Sequence, residues 1–190
     1  MKKGLEKFYD LVDAFESLPT IGKKSALRLA YHIVMNDNYS GIKIAHSIEN
    51  ALKNIKRCIK CGSMSEHEIC ENCLDDTKDH TKVCIVQSAK DIFIIEESNQ
   101  FDGVYFVIEE LEADCIDRLL NFVDENSVKE MLFAITPSLS NDAFILYIED
   151  KLKDKNINFT KIAQGVPTGV SLENVDVLSL SKAIQSRVEI

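Results

Sequence analysis

The chain has 190 residues, 45% of them hydrophobic, with 31 acidic against 22 basic side chains and a net charge of −9. That length fills one large domain or two to three small ones, and the charge argues against a protein that coats nucleic acid with its whole surface. Apolar runs such as Ile92–Ile95 fall far short of the roughly 18 residues of a membrane span, and the opening Met1-Lys2-Lys3-Gly4-Leu5-Glu6 turns acidic without an apolar signal core, so a soluble cytoplasmic protein with no membrane partner is expected.

Three amphipathic helices are predicted to open the chain. The first sets Leu5, Phe8, Val12 and Phe15 on one face at spacings of three and four, and Ser17-Leu18-Pro19-Thr20-Ile21-Gly22 breaks it. A second, from about Lys23, aligns Ala26, Leu29, Ala30 and Ile33; a third, from about Ser40, aligns Ala45, Ile48, Leu52 and Ile55. Charge is uneven along the chain: residues 1–57 hold ten Lys/Arg against six Asp/Glu, whereas residues 81–190 hold ten against nineteen. Exposed charges act over only about 8 Å at physiological salt, so a phosphate touching the first third would feel a locally basic surface.

Within that third, Leu18-Pro19-Thr20-Ile21-Gly22-Lys23-Lys24-Ser25-Ala26-Leu27-Arg28 places a tight turn directly before a helix. The first N–H groups of a helix lack intrahelical acceptors and hold a phosphate without reading sequence. Lysines in the first turn oppose the helix dipole, a conflict that a bound anion relieves. Lys23, Lys24 and Arg28 are therefore the candidate DNA-binding residues, Lys24 and Arg28 sharing one face; an ordinary solvated helix face is the alternative.

Cys58-Ile59-Lys60-Cys61-Gly62 and Cys70-Glu71-Asn72-Cys73 follow. A C-x2-C pair turns two thiolates toward one ion, and a second pair completes a tetrahedron; reducing cytosol disfavours disulfides. With all four positions filled by sulfur no place is left for water, so one structural zinc on Cys58, Cys61, Cys70 and Cys73 is expected, with His67 a surface residue of the loop.

Beyond the cysteines, β-rich runs at Val83–Val86, Val104–Ile108, Met131–Ile135 and Phe159–Ala163 alternate with helical stripes, one of Ile116, Leu119, Leu120 and Val123, another of Ala143, Leu146 and Leu152. That alternation predicts an α/β domain with a parallel sheet. The polar runs 53–57 and 75–82 are the expected boundaries. Cys84 and Cys115, in apolar stripes, read as packed thiols; Phe101 and Tyr105 read as core; His32, His46 and His80 have no metal or nucleophile spacing.

The hairpin segment resembles the helix-hairpin-helix of the RecR family, and the cysteine spacing C-x2-C-x8-C-x2-C is that family's. Cys84-Ile85-Val86-Gln87-Ser88-Ala89-Lys90-Asp91 resembles the first strand and turn of its Toprim domain. Residues 162–169 and Leu178-Ser179-Leu180-Ser181-Lys182-Ala183-Ile184 resemble its closing motifs. The resemblance implies a helix-hairpin-helix DNA-binding module at 1–57, a C4 zinc finger at 58–73, a Toprim-like domain at 80–166 and a tail for oligomer contacts at 167–190. It further implies binding to single- and double-stranded DNA near gaps. The partners would be RecO and in some members RecF, helping RecA displace single-strand-binding protein, with assembly as a homodimer or ring-like homotetramer. Three departures stand out. Thr20 occupies the place of a hairpin glycine, so the backbone there is expected to avoid positive φ, and Lys23 replaces a proline. The loop Glu109-Glu110-Leu111-Glu112 is also shorter than the family's.

Catalytic Toprim domains hold magnesium with a glutamate after the first strand and an Asp-x-Asp after the third, because the metal must neutralise charge on a phosphate. Gln87 and Thr136-Pro137-Ser138 occupy those places, Asp142 is expected to cap the next helix or bind a partner, and Glu109 and Glu110 read as solvated. A non-catalytic mediator is therefore expected. The alternatives are a zinc-containing Toprim nuclease or primase, which needs those carboxylates, and a protein-only zinc adaptor that never touches DNA.

Overall fold

The computed structural model describes residues 4–163, 165–166 and 168–187. Gln164 and Pro167 of the closing motif, and the ends 1–3 and 188–190, lie outside them. The chain divides into two compact units, Met1–Ile55 and Lys56–Ile190.

The first unit is helical: α1 (Glu6–Glu16), α2 (Lys23–Tyr31) continuing into a π-helical turn His32–Asn36, and α3 (Asn38–Asn54). Ala26 and Ala30, one turn apart, present no bulk, so α2 packs closely on Val12, with Phe8, Leu11, Phe15 and Ile21 around this small core. Asp37 caps α3, accepting a hydrogen bond from the Ser40 N–H at 3.0 Å. The expected inward stripe of α3 is not inward. No residue of α3 is buried, and Ile48 and Leu52 are 55% and 80% exposed, because α1 and α2 already cover each other's apolar faces.

The second unit begins with an antiparallel pair, β1 (Lys56–Arg57) and β2 (Met64–Ser65), and the short α4 (Glu71–Leu74). The α/β elements follow in the order β3 (Asp79–Val86), α5 (Ala89–Ser98), β4 (Gly103–Val107), α6 (Ala113–Asn126), β5 (Glu130–Phe133), α7 (Leu139–Lys151) and β6 (Asn158–Lys161). All four long strands are parallel, ordered β4-β3-β5-β6. Val83–Val86 of the inner strand β3 are buried on both faces, as a sheet covered by helices on either side demands. Val83 and Ile85 face a core shared with Leu119, Phe122 and Ile148; Cys84 and Val86 face Ile92, Tyr105 and Phe101. Where β3 and β4 slip register, a Cβ on Gly103 would stand 2.5 Å from the Lys82 carbonyl oxygen, so only glycine lets the strands approach.

The stripe expected on α7 is corrected. Ala143 and Leu146 face outward, and the buried positions are Phe144, Ile148 and Leu152, each one turn after the last. Helix α6 keeps the expected face, with Ile116, Leu119 and Val123 buried. After β6 come a 3-10 turn Leu172–Asn174 and α8 (Val177–Gln185), capped by Asp176 and exposing Val177, Leu178 and Ile184. Among the described residues no helix is long and apolar enough to cross a membrane.

Candidate metal centre and nucleic-acid interface

The four cysteines converge. Their sulfur atoms all lie within 4.8 Å of one another, with Cys61 to Cys70 at 3.5 Å and Cys58 to Cys73 at 3.9 Å. A divalent ion with four sulfurs at about 2.3 Å in a tetrahedron sets them about 3.8 Å apart, so the group fits a metal ion. Two backbone knuckles build the site. The Gly62 N–H donates to the Cys58 carbonyl at 2.9 Å and the Cys73 N–H to the Cys70 carbonyl at 3.0 Å, while the Cys70 N–H donates to the Cys58 sulfur at 3.3 Å. Gly62 has φ +77, which a side chain rarely adopts, and its missing Cβ would meet the Val107 carbonyl oxygen at 3.3 Å.

Thiol electrostatics agree with that fit. Donation from the Cys61, Cys70 and Cys73 thiols holds Cys58 far below the usual thiol range. Cys73, holding its own proton against the Cys58, Cys61 and Cys70 sulfurs and further raised by burial, is driven far above it. Sulfurs this crowded all ionise only around a cation. His67 is exposed, its N–H held by the Ser65 hydroxyl at 3.0 Å, and it takes no place in the cluster.

The knuckle is built into the α/β core. Cys58, Cys61 and Cys70 share one hydrophobic cluster with β3, β4 and α6, and the Cys61 carbonyl accepts from the Val107 N–H at 2.8 Å. Two ion pairs flank it: Arg57 to Glu109 at 2.7 Å and Lys60 to Glu125 at 3.0 Å. Sequence reasoning reads Glu109 as solvated and misses these pairs; partners 52 and 65 residues apart leave no local signal.

In the helical unit, the turn before α2 has the form of a hairpin. Thr20 does not avoid positive φ as expected but adopts φ +69: closure of the turn between two packed helices fixes the backbone there, and the side chain yields. Gly22 is the residue before the helix, with φ −85 and ψ 165 and no side-chain cap. Among the described residues the amides of Lys23, Lys24 and Ser25 therefore meet no acceptor. Lys23, Lys24 and Arg28 are all exposed, and no described carboxylate pairs with them. Among the described residues, three amides without acceptors and the unpaired Lys23 and Lys24 stand at the start of α2, with the unpaired Arg28 in its last turn.

At the carboxyl end of the sheet, Gln87 is engaged on both atoms of its amide. Its Nε2 donates to Asn141 Oδ1 at 2.9 Å, and Asn141 Nδ2 donates to Gln87 Oε1 at 3.2 Å and to the Thr136 carbonyl at 2.6 Å. Ser138, not Asp142, caps α7; it accepts from the Asn141 N–H at 3.2 Å, while Asp142 pairs with Lys161 at 3.4 Å. The capping expected of Asp142 is thus corrected, since its side chain lies too far into the helix to reach back to the free amides. Asn141 is the residue that sequence reasoning missed. Cys84 and Cys115 are buried as expected, and burial pushes the Cys84 thiol up to about 12.

These features define a class: a helix-hairpin-helix unit joined to a Toprim-like parallel α/β domain with a four-cysteine metal site in its core. Residues 8–52 match the family model described as RecR, helix-hairpin-helix. The chain is 53% identical over its whole length to the full-length "Recombination protein RecR" of a Nitratiruptor species and 50% identical, again over both whole chains, to that of Campylobacter jejuni subsp. doylei. A Helicobacter pylori protein of the same name is 46% identical over 99% of this chain and 97% of its own. The chain belongs to the RecR family.

Proposed function

We infer that this chain is a non-catalytic recombination mediator that binds single- and double-stranded DNA through Lys23, Lys24 and Arg28 and helps load RecA at gaps, with RecO and in some settings RecF as partners. The observation that carries the reading is α2, where, among the described residues, free backbone amides stand with the unpaired Lys23 and Lys24 at its start and Arg28 one turn further on, on an otherwise acidic chain. Such a surface holds backbone phosphates and gives no base readout, which suits a factor that works at any gap.

Zinc is the ion assigned to Cys58, Cys61, Cys70 and Cys73, since four thiolates in tetrahedral array are its preferred structural set. Bound there, it cross-links the knuckle; these residues leave no open position for water or substrate. The Toprim-like face supports a binding role because Gln87 offers an amide already shared with Asn141 where catalysis needs a carboxylate. Repeated low-affinity contacts need several copies acting together. The bare face of α3 and the open cavity of about 810 Å³ beside Phe8, Leu27, Leu29 and Tyr31 support a homodimer or ring-like homotetramer, and the exposed apolar residues of α8 support oligomer contacts by the tail. The site of action is the cytoplasm.

The test is RecA assembly on gapped DNA coated with single-strand-binding protein, with RecO present. Adding this chain should shorten the lag, and Lys24→Glu with Arg28→Glu should abolish that effect. A lag unchanged by the wild-type chain would overturn the reading.

A further inference from the structure

Arg118, on the face of α6 turned toward the knuckle, is a guanidinium without an anion. Its Nε is buried with no hydrogen-bond partner, its Nη2 donates only to the Cys115 sulfur at 3.6 Å, and its charge lies 5.6 Å from the centre of the Phe106 ring. Among the described residues no carboxylate forms an ion pair with it. Arg118 is half-buried, and a cation with its Nε shut off from water and unpartnered is costly unless a negative charge nearby offsets it.

The knuckle supplies one. Arg118 Nη2 stands 3.5 Å from where a Cβ of Gly62 would be, directly after the ligand position Cys61, and Cys115 shares one core cluster with Cys58, Cys61 and Cys70. Four thiolates around one divalent ion leave two uncompensated negative charges in a largely buried place. The other cations of the knuckle are already engaged: Arg57 by Glu109 and Lys60 by Glu125. Among the described residues a single backbone N–H reaches a sulfur of the site, that of Cys70.

We propose that Arg118 is the charge-compensating residue of the metal-loaded tetrathiolate, a positioning group that lowers the cost of holding a dianionic centre inside the α/β core. The ion and the arginine then stabilise each other: the centre is the counter-charge of the guanidinium, and the guanidinium strengthens metal retention. This inference rests on zinc occupying the four cysteines. Groups that support metal ligands from outside the coordination sphere typically alter affinity on the order of 10- to 100-fold when removed.

The experiment measures zinc transfer from the full-length protein to a chromophoric chelator for the wild type, Arg118→Met and Arg118→Lys. Arg118→Met keeps the length and apolar contact of the stem, and Arg118→Lys keeps the charge. Release should be on the order of 10- to 100-fold faster in Arg118→Met, with Arg118→Lys close to the wild type. Stability lost through weaker metal binding should grow as free zinc rises, so the thermal midpoint of Arg118→Met should match that of the wild type at the lowest zinc and fall below it as zinc approaches saturation, whereas poorer packing alone would lower it equally at every zinc concentration. Equal release rates in all three proteins, or a midpoint deficit of the same size at every zinc concentration, would overturn the proposal. A wild-type protein that bound no zinc would instead refute the metal assignment on which it rests.

Discussion

Thr20 holds φ +69, a region that a β-branched side chain enters only at a cost on the order of 1–3 kcal/mol. Thr20→Gly should therefore raise the thermal midpoint of the helical unit, and a lower midpoint would show that the hydroxyl or methyl makes an interaction worth more than the strain. Ser127, with φ 50 just past α6, is a second such position, and Ser127→Gly should also stabilise. Cys84 illustrates a pH dependence. Burial raises its thiol from 9.0 to about 12, so the fold favours the neutral form. The stability this contributes is complete below about pH 9 and is lost as pH rises toward 12. Denaturant midpoints of the wild type and Cys84→Ala should accordingly converge as pH climbs through that window; a constant difference between them would contradict the assignment.

The knuckle and the sheet behave as one element, because Cys61 accepts from Val107 and three of the four cysteines lie in the sheet's own core. Chelation should therefore remove hydrogen-exchange protection from β4 and α6 as well as from residues 58–73. A decrease in protection confined to the knuckle would mean the sheet stands without the ion. Just past β3, also at the carboxyl end of the sheet, the shared amides of Gln87 and Asn141 predict that purified protein neither cleaves nor primes DNA with magnesium or manganese. Cleavage that followed the protein through purification and vanished on Glu109→Ala with Glu110→Ala would contradict this. The parallel strands are legible in the sequence because each is a short run carrying apolar, aromatic or β-branched residues between helical stripes, and the metal site because its ligands fall in two local pairs. Helix α7 misleads because Ala143 and Leu146, three apart, imitate a stripe, whereas Phe144 and Ile148 take the core. The Gln87–Asn141 and Arg57–Glu109 contacts join residues more than 50 apart, and only the folded topology reveals them.

Across the whole molecule, apolar surface among the described residues stays bare along α3 and α8 and also at Leu27, Leu29 and Tyr31 of α2, Phe93 and Ile94 of α5 and Leu146 of α7. If α3 meets a second copy, Ile48→Glu with Leu52→Glu should lower the mass measured by light scattering while leaving metal content unchanged; a mass that stayed the same would remove α3 from the interface. The same measurement on a chain ending before α8 tests the tail. Charge acts at this scale too. With 31 acidic against 22 basic residues, the molecule repels DNA except where cations cluster free of carboxylates, and the start of α2 is such a place. The most direct test of the account is the salt dependence of DNA affinity for the wild type and for Lys24→Glu with Arg28→Glu. Each duplex phosphate that the variant no longer neutralises should flatten the slope of log affinity against log salt by about 0.9, with binding weakened about equally on unrelated sequences and with oligomer mass and metal content retained. An unchanged affinity and slope in the reversed-charge protein would contradict the account and move the DNA surface away from the hairpin.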